Sequence, residues 1–590
     1  MIYNRIKFLV LLLVAAVQCL AANYVRVNQI GYLERDTKVA VLLMPDGGKV
    51  SRFTVTNVGT GKTTTLTAVR ATGRLGSMEA TARLDFSQIT APGSYYITAA
   101  GARSATFRIG NDAYRGSQEI PLYYMRQQRC GWNPFLRDSC HTLDGRLQLS
   151  GKRDGEHVDV TGGWHDASDY LQYLTTSANA VYQLLFAYAL NPGVWADDYD
   201  ARGVRGSNGV PDILDEARWG LEWMLKMNPD DSTYYNQIAD DRDHAWTGLP
   251  NEQNTDYGWG PGRERPVYPC LGHPAGLRKY KNRSRGLASS VAKFGSAFSL
   301  GAQVFDTIDP QLASQLKRKA AVAYAVAKAN PGNCQTVSTV SPYFYEEDNW
   351  TDDLELAAAT IASAGADRQL MAEAVDWERQ EPVTPWMGAD SARHYQWYPF
   401  INLGHAVIAM HGNARQREEA LRNMRSGLQR VADRAKANPA FMAGVPFVWC
   451  SNNLTVAFVT QAMLYRQLSG DTQFSEIETA MRDWLFGCNP WGKCMIVGLP
   501  AGGDYPRDTH SMLSNVYNYP ITGGLVDGPV SEAIFKSLKG VTLRNADRYA
   551  QFQSPMAVYH DDYCDYSTNE PTMDGTASTT WMLGQLAGAK

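Results

Sequence analysis

The hydrophobic pattern of this chain changes period once, near Tyr114, and that switch limits what the 590 residues can fold into. From Tyr24 to Gly110 short runs rich in β-branched and aromatic residues follow one another at 24–30, 39–44, 52–58, 64–70, 80–86, 95–99 and 104–109. Turn signals such as Asp46-Gly47-Gly48 and Pro92-Gly93 separate them. About seven short strands in this space predict a small antiparallel sandwich of immunoglobulin type. The stretch has no cysteine, so the disulfide found in antibody domains is excluded.

Beyond Tyr114 the apolar period becomes helical. Asp212-Ile213-Leu214-Asp215-Glu216-Ala217 leads into Leu221 and Leu225 on one face. Further helical stretches are read at 289–305, 311–329, 353–364, 416–437, 453–468 and 474–485. About a dozen such segments, separated by long Gly/Pro-rich loops, fit six helical pairs closed into an (α/α)6 barrel. A helical solenoid is the alternative, but no short repeat is visible. Strand and helix do not alternate as a parallel sheet requires. We therefore expect a sandwich over 22–110 and a helical domain over 111–590, whose end loops would carry a binding cleft.

The first residues read as an export signal, removed near Ala21 or Ala22. Arg5 and Lys7 precede an apolar run at 8–17, and small residues follow. A lipid anchor on Cys19 is the alternative, but Gln18 is the wrong residue before it. No later stretch reaches the length of a membrane span. A soluble monomer, secreted or periplasmic or at the cell surface, is expected. With a net charge of −4 the chain lacks the basic surplus of a nucleic-acid binder. Its 15 Trp and 31 Tyr suit flat apolar partners such as sugar rings, or equally an aromatic-rich helical core.

Four constellations carry chemistry. In Gly162-Gly163-Trp164-His165-Asp166-Ala167-Ser168-Asp169-Tyr170, two carboxylates three residues apart precede a helical pattern. Either one caps that helix, or the helix N-terminus keeps a general base ionised. Near the C-terminus, Glu570 follows Asp561, Asp562 and Asp565 among aromatic residues. Crowded carboxylates and apolar rings raise a carboxyl pKa, as a general acid requires, although an acidic solvated loop has the same composition. Cys130, Cys140, His141 and His165 supply the two thiolates and two imidazoles of a closed zinc site. Their spacing matches no zinc finger, and scattered core residues are the alternative. His165 directly precedes Asp166, so a metal there would tether the carboxylate loop. Finally, Glu346, Glu347, Asp348, Asn349, Asp352 and Asp353 form a hard-oxygen cluster before a helix, either a calcium loop or an ordinary acidic helix start.

Together these blocks resemble family 9 glycoside hydrolases, mostly cellulases, of the subgroup with an N-terminal immunoglobulin-like domain. The likeness runs over nearly the whole chain after the signal. Val25-Arg26-Val27-Asn28-Gln29-Ile30-Gly31-Tyr32 resembles the opening of that domain, and Gly163 to Asp169 resembles the family's GGW-x-DAGD block. Gly487-Cys488-Asn489-Pro490-Trp491-Gly492 and Trp449-Cys450-Ser451-Asn452-Asn453 are further family-like blocks. The resemblance implies Asp169 as base, Asp166 as holder of the attacking water and Glu570 as acid, with Asp561 in the same catalytic group. It implies His510, Tyr566 and Trp164 as sugar contacts and Cys130, Cys140, His141 and His165 as structural zinc ligands. Glu347, Asn349, Asp352, Asp353 and Asp390 resemble its calcium set.

The implied activity is inverting cleavage of β-1,4-glucosidic bonds, as by an endoglucanase, with the two carboxyls about 6.5–9.5 Å apart. The chain departs from the family pattern at Ser168, where a glycine is usual. It departs also at Met512, where His510 should be followed two residues on by arginine, and at Thr576, where asparagine is usual. These changes leave open a xyloglucan- or mixed-linkage-glucan-specific enzyme, or an exo-acting glycosidase or glucosaminidase on short oligosaccharides. A non-catalytic glycan-binding protein is disfavoured by the intact carboxylates.

Overall fold

The computed structural model describes residues 22–342 and 344–589. The leader expected over 1–21 lies outside the described residues. Ten strands form the N-terminal part, in chain order β1 (Tyr24–Arg26), β2 (Gly31–Tyr32), β3 (Val39–Met44), β4 (Phe53–Asn57), β5 (Thr63–Leu66), β6 (Val69–Leu75), β7 (Met78–Asp85), β8 (Gly93–Ala99), β9 (Ala102–Arg103) and β10 (Phe107–Ile109). One sheet runs β1-β3-β7-β6 and the other β2-β10-β8-β4-β5, with β9 beside β8.

The strand expected at 64–70 is divided between the sheets, and the one expected at 24–30 ends at Arg26. Leu66 ends β5 in one sheet and Val69 starts β6 in the other. The first run breaks because the Asn28 side-chain carbonyl accepts the amides of Ile30 and Gly31, a local turn that competes with the ladder. Gly31 is required there: a Cβ would lie 2.3 Å from the Arg108 carbonyl oxygen.

Among the described residues twelve helices of eight residues or more dominate the remainder, in chain order α1 (Ile120–Gln127), α2 (Leu174–Leu190), α3 (Asp212–Met227), α4 (Ala288–Phe305), α5 (Pro310–Ala329), α6 (Thr351–Gly365), α7 (Arg368–Glu378), α8 (Leu403–His411), α9 (Ala414–Ala435), α10 (Ser451–Ser469), α11 (Ser475–Leu485) and α12 (Met573–Ala587). Sequence signals start several of them. Asp309 caps α5 ahead of Pro310, and Asn413 with Gln416 forms a capping box on α9. Even-numbered helices meet in sequence: α2 touches α4, α4 touches α6, and so on to α12, which returns to α2. Odd-numbered helices pack outside them. Composition follows this division. Helix α12 is buried on nearly every side, whereas α9 buries one stripe and exposes a charged face.

The sandwich and the helices share one core. In β3, Leu42 and Met44 point into the sandwich while Val41 and Leu43 join the helical core. That is why its sequence is an unbroken apolar run rather than an alternating one. Polar contacts fix the junction. Buried Asn28 donates to Asp483 and Tyr114, both at 2.8 Å, and Arg482 pairs with Asp36 at 2.8 Å. Burial pushes the Asp483 carboxyl up to about 6 against the pull of Arg482. Asn28→Ala removes these donors and the turn, and should cost about 1–3 kcal/mol. Thermal denaturation should show a lower Tm with unchanged activity per folded molecule, and an unchanged Tm would contradict the role of this contact.

Candidate active site

The Asp166 loop is built before α2, not on it. Helix α2 begins at Leu174 with no side-chain cap, and Gln172–Tyr173 is a strand paired with Tyr235–Ile238. Neither Asp166 nor Asp169 therefore caps that helix, and its N-terminus is not what polarises them. Instead the loop is stitched to distant chain. His165 N donates to Gln128 O at 2.8 Å, and Met573 N donates to Asp166 O at 2.9 Å. Gly163 sits at φ 69° against the ring of Trp223, where a Cβ would come within 2.7 Å. Arg265 braces the loop from beneath, donating to the Tyr170 carbonyl, to Gln172 at 2.5 Å and to Asp144 at 2.7 Å.

Asp166 is buried. Thr176 of α2 donates to one of its oxygens at 2.5 Å and the Tyr345 hydroxyl donates to the other. Burial, with the Asp574 carboxylate adding to it, pushes Asp166 well above the ordinary carboxylate range despite these donors. Tyr345 stacks on Tyr395 with ring centres 4.0 Å apart, and the Tyr395 hydroxyl lies 3.3 Å from both Asp574 oxygens. Asp169 is half-buried and pairs with His244 at 2.7 Å. The imidazole is pulled down by loss of water, but the Asp169 carboxylate outweighs this and raises it to about 9.

Glu570 immediately precedes the strand Pro571–Thr572 and α12. The Ser168 amide and hydroxyl both donate to its Oε1, the amide at 3.0 Å. Burial raises the Glu570 carboxyl, His510 opposes this, and Asp169 adds to it. Closure of α12 on α2 thus brings Asp166, Asp169 and Glu570 together. His510 and Tyr566 stand beside them, their ring centres 6.1 Å apart, and Trp449 lies 5.7 Å from Tyr566.

Other expectations are corrected. Trp164 is wholly buried, with its ring over Gly220 and its indole N–H 3.4 Å from Glu216, so it contacts no sugar. Asp561 has both oxygens engaged, by Lys493 at 3.0 Å, by Arg548 and by the amides of Arg507 and Asp508. It pins the segment leading to His510. The five residues read as a calcium set do not fit one ion. Asp390 is 95% exposed and pairs with Arg434, whereas Glu347, Asn349, Asp352 and Asp353 are buried. The buried Lys293 ammonium stands at 2.5 Å from Glu347 and 2.8 Å from Asp353, so these acids already hold an internal cation.

The four Cys and His residues do assemble. Their ligand atoms lie within 4.8 Å of one another, with neighbouring pairs at 3.3 to 3.7 Å. The edges of a tetrahedral zinc site are about 3.3–3.8 Å, from bonds of about 2.3 Å to sulfur and 2.0–2.1 Å to nitrogen. The donor set and its spacing therefore fit zinc. His141 Nε2 meets Gln253 at 2.6 Å, a partner that orients the ring.

Sequence reasoning assigned no role to Asp574, Asp527, His244 or Tyr345. Asp574 stands only four residues after Glu570, in the first turn of α12, so its nearness in the chain was an available signal. Asp527, bonded to Trp449 at 2.9 Å, had no such signal. Lys293→Met should leave its carboxylates unpaired at a cost of about 3–5 kcal/mol. Calorimetry should show a large fall in Tm, and a stable variant would mean that Lys293 is not their counter-charge.

The sequence profile described as Glycosyl hydrolase family 9 matches residues 114–583, and that described as Cellulase N-terminal ig-like domain matches 21–104. Endoglucanase C of Cellulomonas fimi is 26% identical over 95% of this chain, which spans only 52% of that protein. Cellodextrinase of Butyrivibrio fibrisolvens is 26% identical over 93% of this chain and 97% of its own length. The crystal structure of a metagenome-derived glycoside hydrolase family 9 endoglucanase superposes with a TM-score of 0.71 at 25% identity, covering 96% and 99% of the two chains. With its carboxylates gathered where the first and last long helices meet, the chain belongs to glycosyl hydrolase family 9, in the group that carries an N-terminal immunoglobulin-like domain.

Proposed function

We propose that this chain is an inverting glycoside hydrolase that cleaves β-1,4-glucosidic bonds in glucans, as an endoglucanase does. The observation that carries this is the meeting of Asp169 and Asp166 with Glu570 across the loops at one end of the helices. Glu570, raised by burial, gives its proton to the leaving glycosidic oxygen. Asp169, held by His244, takes a proton from water on the opposite ring face, and Asp166 helps aim that water. Tyr345, Thr176 and Asp561 act as positioning residues. Trp449, Tyr566 and His510 offer ring faces and polar edges to the sugar. The closed circuit of helices supports an (α/α)6 barrel over 111–590 behind a sandwich over 22–110. The leader at 1–21 supports export, and no helix among the described residues is long and apolar enough to cross a membrane.

Zinc bound by Cys130, Cys140, His141 and His165 would act as a structural clamp. His165 adjoins Asp166, and Cys130 N donates to Gly163 O at 2.9 Å, so the clamp would stiffen the carboxylate loop. A second reading, action on short oligomers, is favoured by the cellodextrinase, which matches over nearly the whole of both chains. A product-against-time profile on β-glucans, xyloglucan, cello-oligomers and chitosan oligomers separates the two. Mixed lengths appearing early indicate endo action, and a single short product indicates exo action.

Glu570→Gln and Asp169→Asn should each lose about 10²–10⁴-fold in kcat on a natural glucan while staying folded. On an aryl glycoside with a good leaving group Glu570→Gln should recover much of its activity and Asp169→Asn should not. Proton NMR of the first-formed anomer should show α. A β product would mean retention, and Asp169 would then be a nucleophile rather than a base.

Elemental analysis should find one zinc per chain. Chelation or Cys140→Ser should lower Tm and reduce activity together, and protein free of zinc with full stability would overturn the clamp.

A further inference from the structure

We propose that the hydroxyl of Ser168, at a position where the family pattern has glycine, selects which oxygen of Glu570 carries the acid proton. This inference rests on Glu570 as the acid. Two donors from one residue, the Ser168 amide and hydroxyl, converge on Oε1. Among the described residues no hydrogen bond reaches Oε2. A protonated carboxyl has one hydroxyl and one carbonyl-type oxygen, and an oxygen accepting two donors is the carbonyl-type one. The proton is therefore assigned to Oε2, the oxygen left to meet the leaving group. A glycine would keep the amide but not the hydroxyl, and the proton would then exchange more freely between the two oxygens.

The same contact has a second effect. A donor stabilises the ionised carboxylate more than the neutral acid, so the hydroxyl pulls Glu570 down from the raised position that burial imposes. The hydroxyl thus exchanges some breadth of the alkaline range for a fixed proton position. Ser168 is a positioning residue: it touches the acid and not the reacting bond. It is held for this by its place between Asp166, whose carbonyl receives the amide of Met573, and Asp169, which pairs with His244.

The test uses the full-length zinc-loaded chain with Ser168→Ala, Ser168→Gly and Ser168→Thr, and Glu570→Gln as control. Removing the hydroxyl should lower kcat on an unactivated cello-oligomer by about 3–30-fold, the weight of one such hydrogen bond. The alkaline limb of kcat against pH should move upward by about half to one unit, because a donor to the ionised form has been lost. On an aryl glycoside with a good leaving group the change should stay within about twofold. Ser168→Thr should restore both the rate and the limb. An unmoved limb with equal losses on both substrates makes Ser168 structural only and overturns the inference. If Ser168→Ala misfolds by thermal melt, Ser168→Gly carries the same readout. If instead Glu570→Gln loses equally on both substrates, the acid assignment fails first and the role of Ser168 falls with it.

Discussion

The amide of Met573 donates to the carbonyl of Asp166 across 2.9 Å, and the site exists because that contact closes. It ties the first residue of α12 to the loop ahead of α2, so the beginning and end of the helical circuit are fastened where the carboxylates stand. Ser168 and Glu570, 402 residues apart in sequence, meet beside it. A carboxylate pair that must hold a water and a glycosidic bond between its members tolerates little slack. Burying α12 on nearly all sides removes that slack, since a helix packed on every face cannot slide without opening voids.

Placing charge in this dry setting needs partners, and the interior supplies them individually. Arg265 answers Asp144, and Lys293 answers Glu347 and Asp353. His244 answers Asp169, and hydroxyls from Thr176 and Tyr345 answer Asp166. Where the partner is a full cation the acid is fixed in place. Burial pushes the carboxyl up where the partner is a neutral donor or another acid, as at Asp166, Asp527 and Asp574, and also at Asp353 and Asp483 against the pull of Lys293 and Arg482. The Cys and His cluster extends the same logic to a set of metal-ligating groups, with His165 next to Asp166 in its loop.

The sandwich is part of this arrangement rather than an appendage. The same strand, β3, contributes Leu42 to the sandwich and Leu43 to the helices, so neither core is complete without it. Asn28 shows how local and distant structure are coupled: one end of its side chain makes the turn that ends the first strand, and the other reaches Asp483 in α11.

Much was legible in the chain because it depends on neighbours in sequence. Period two and period 3.6 separated sandwich from helices near Tyr114, whereas the caps at Asp309 and Asn413 emerged with the structure. Residue chemistry singled out the Asp166 and Asp169 block, Glu570 and the Cys/His quartet beside ordinary structural alternatives, and the family resemblance implied their roles. Tertiary structure alone decided which way and against what they face. Trp164, two residues before Asp166 in sequence, turns inward over Gly220, and Asp390 points to solvent while Lys293 takes the place beside Glu347. His244 on Asp169 and Ser168 on Glu570 are likewise contacts between segments far apart in the chain. The physical reason is that local pattern fixes the period and direction of an element, whereas the partner of a buried charge is set by how the closed helices pack.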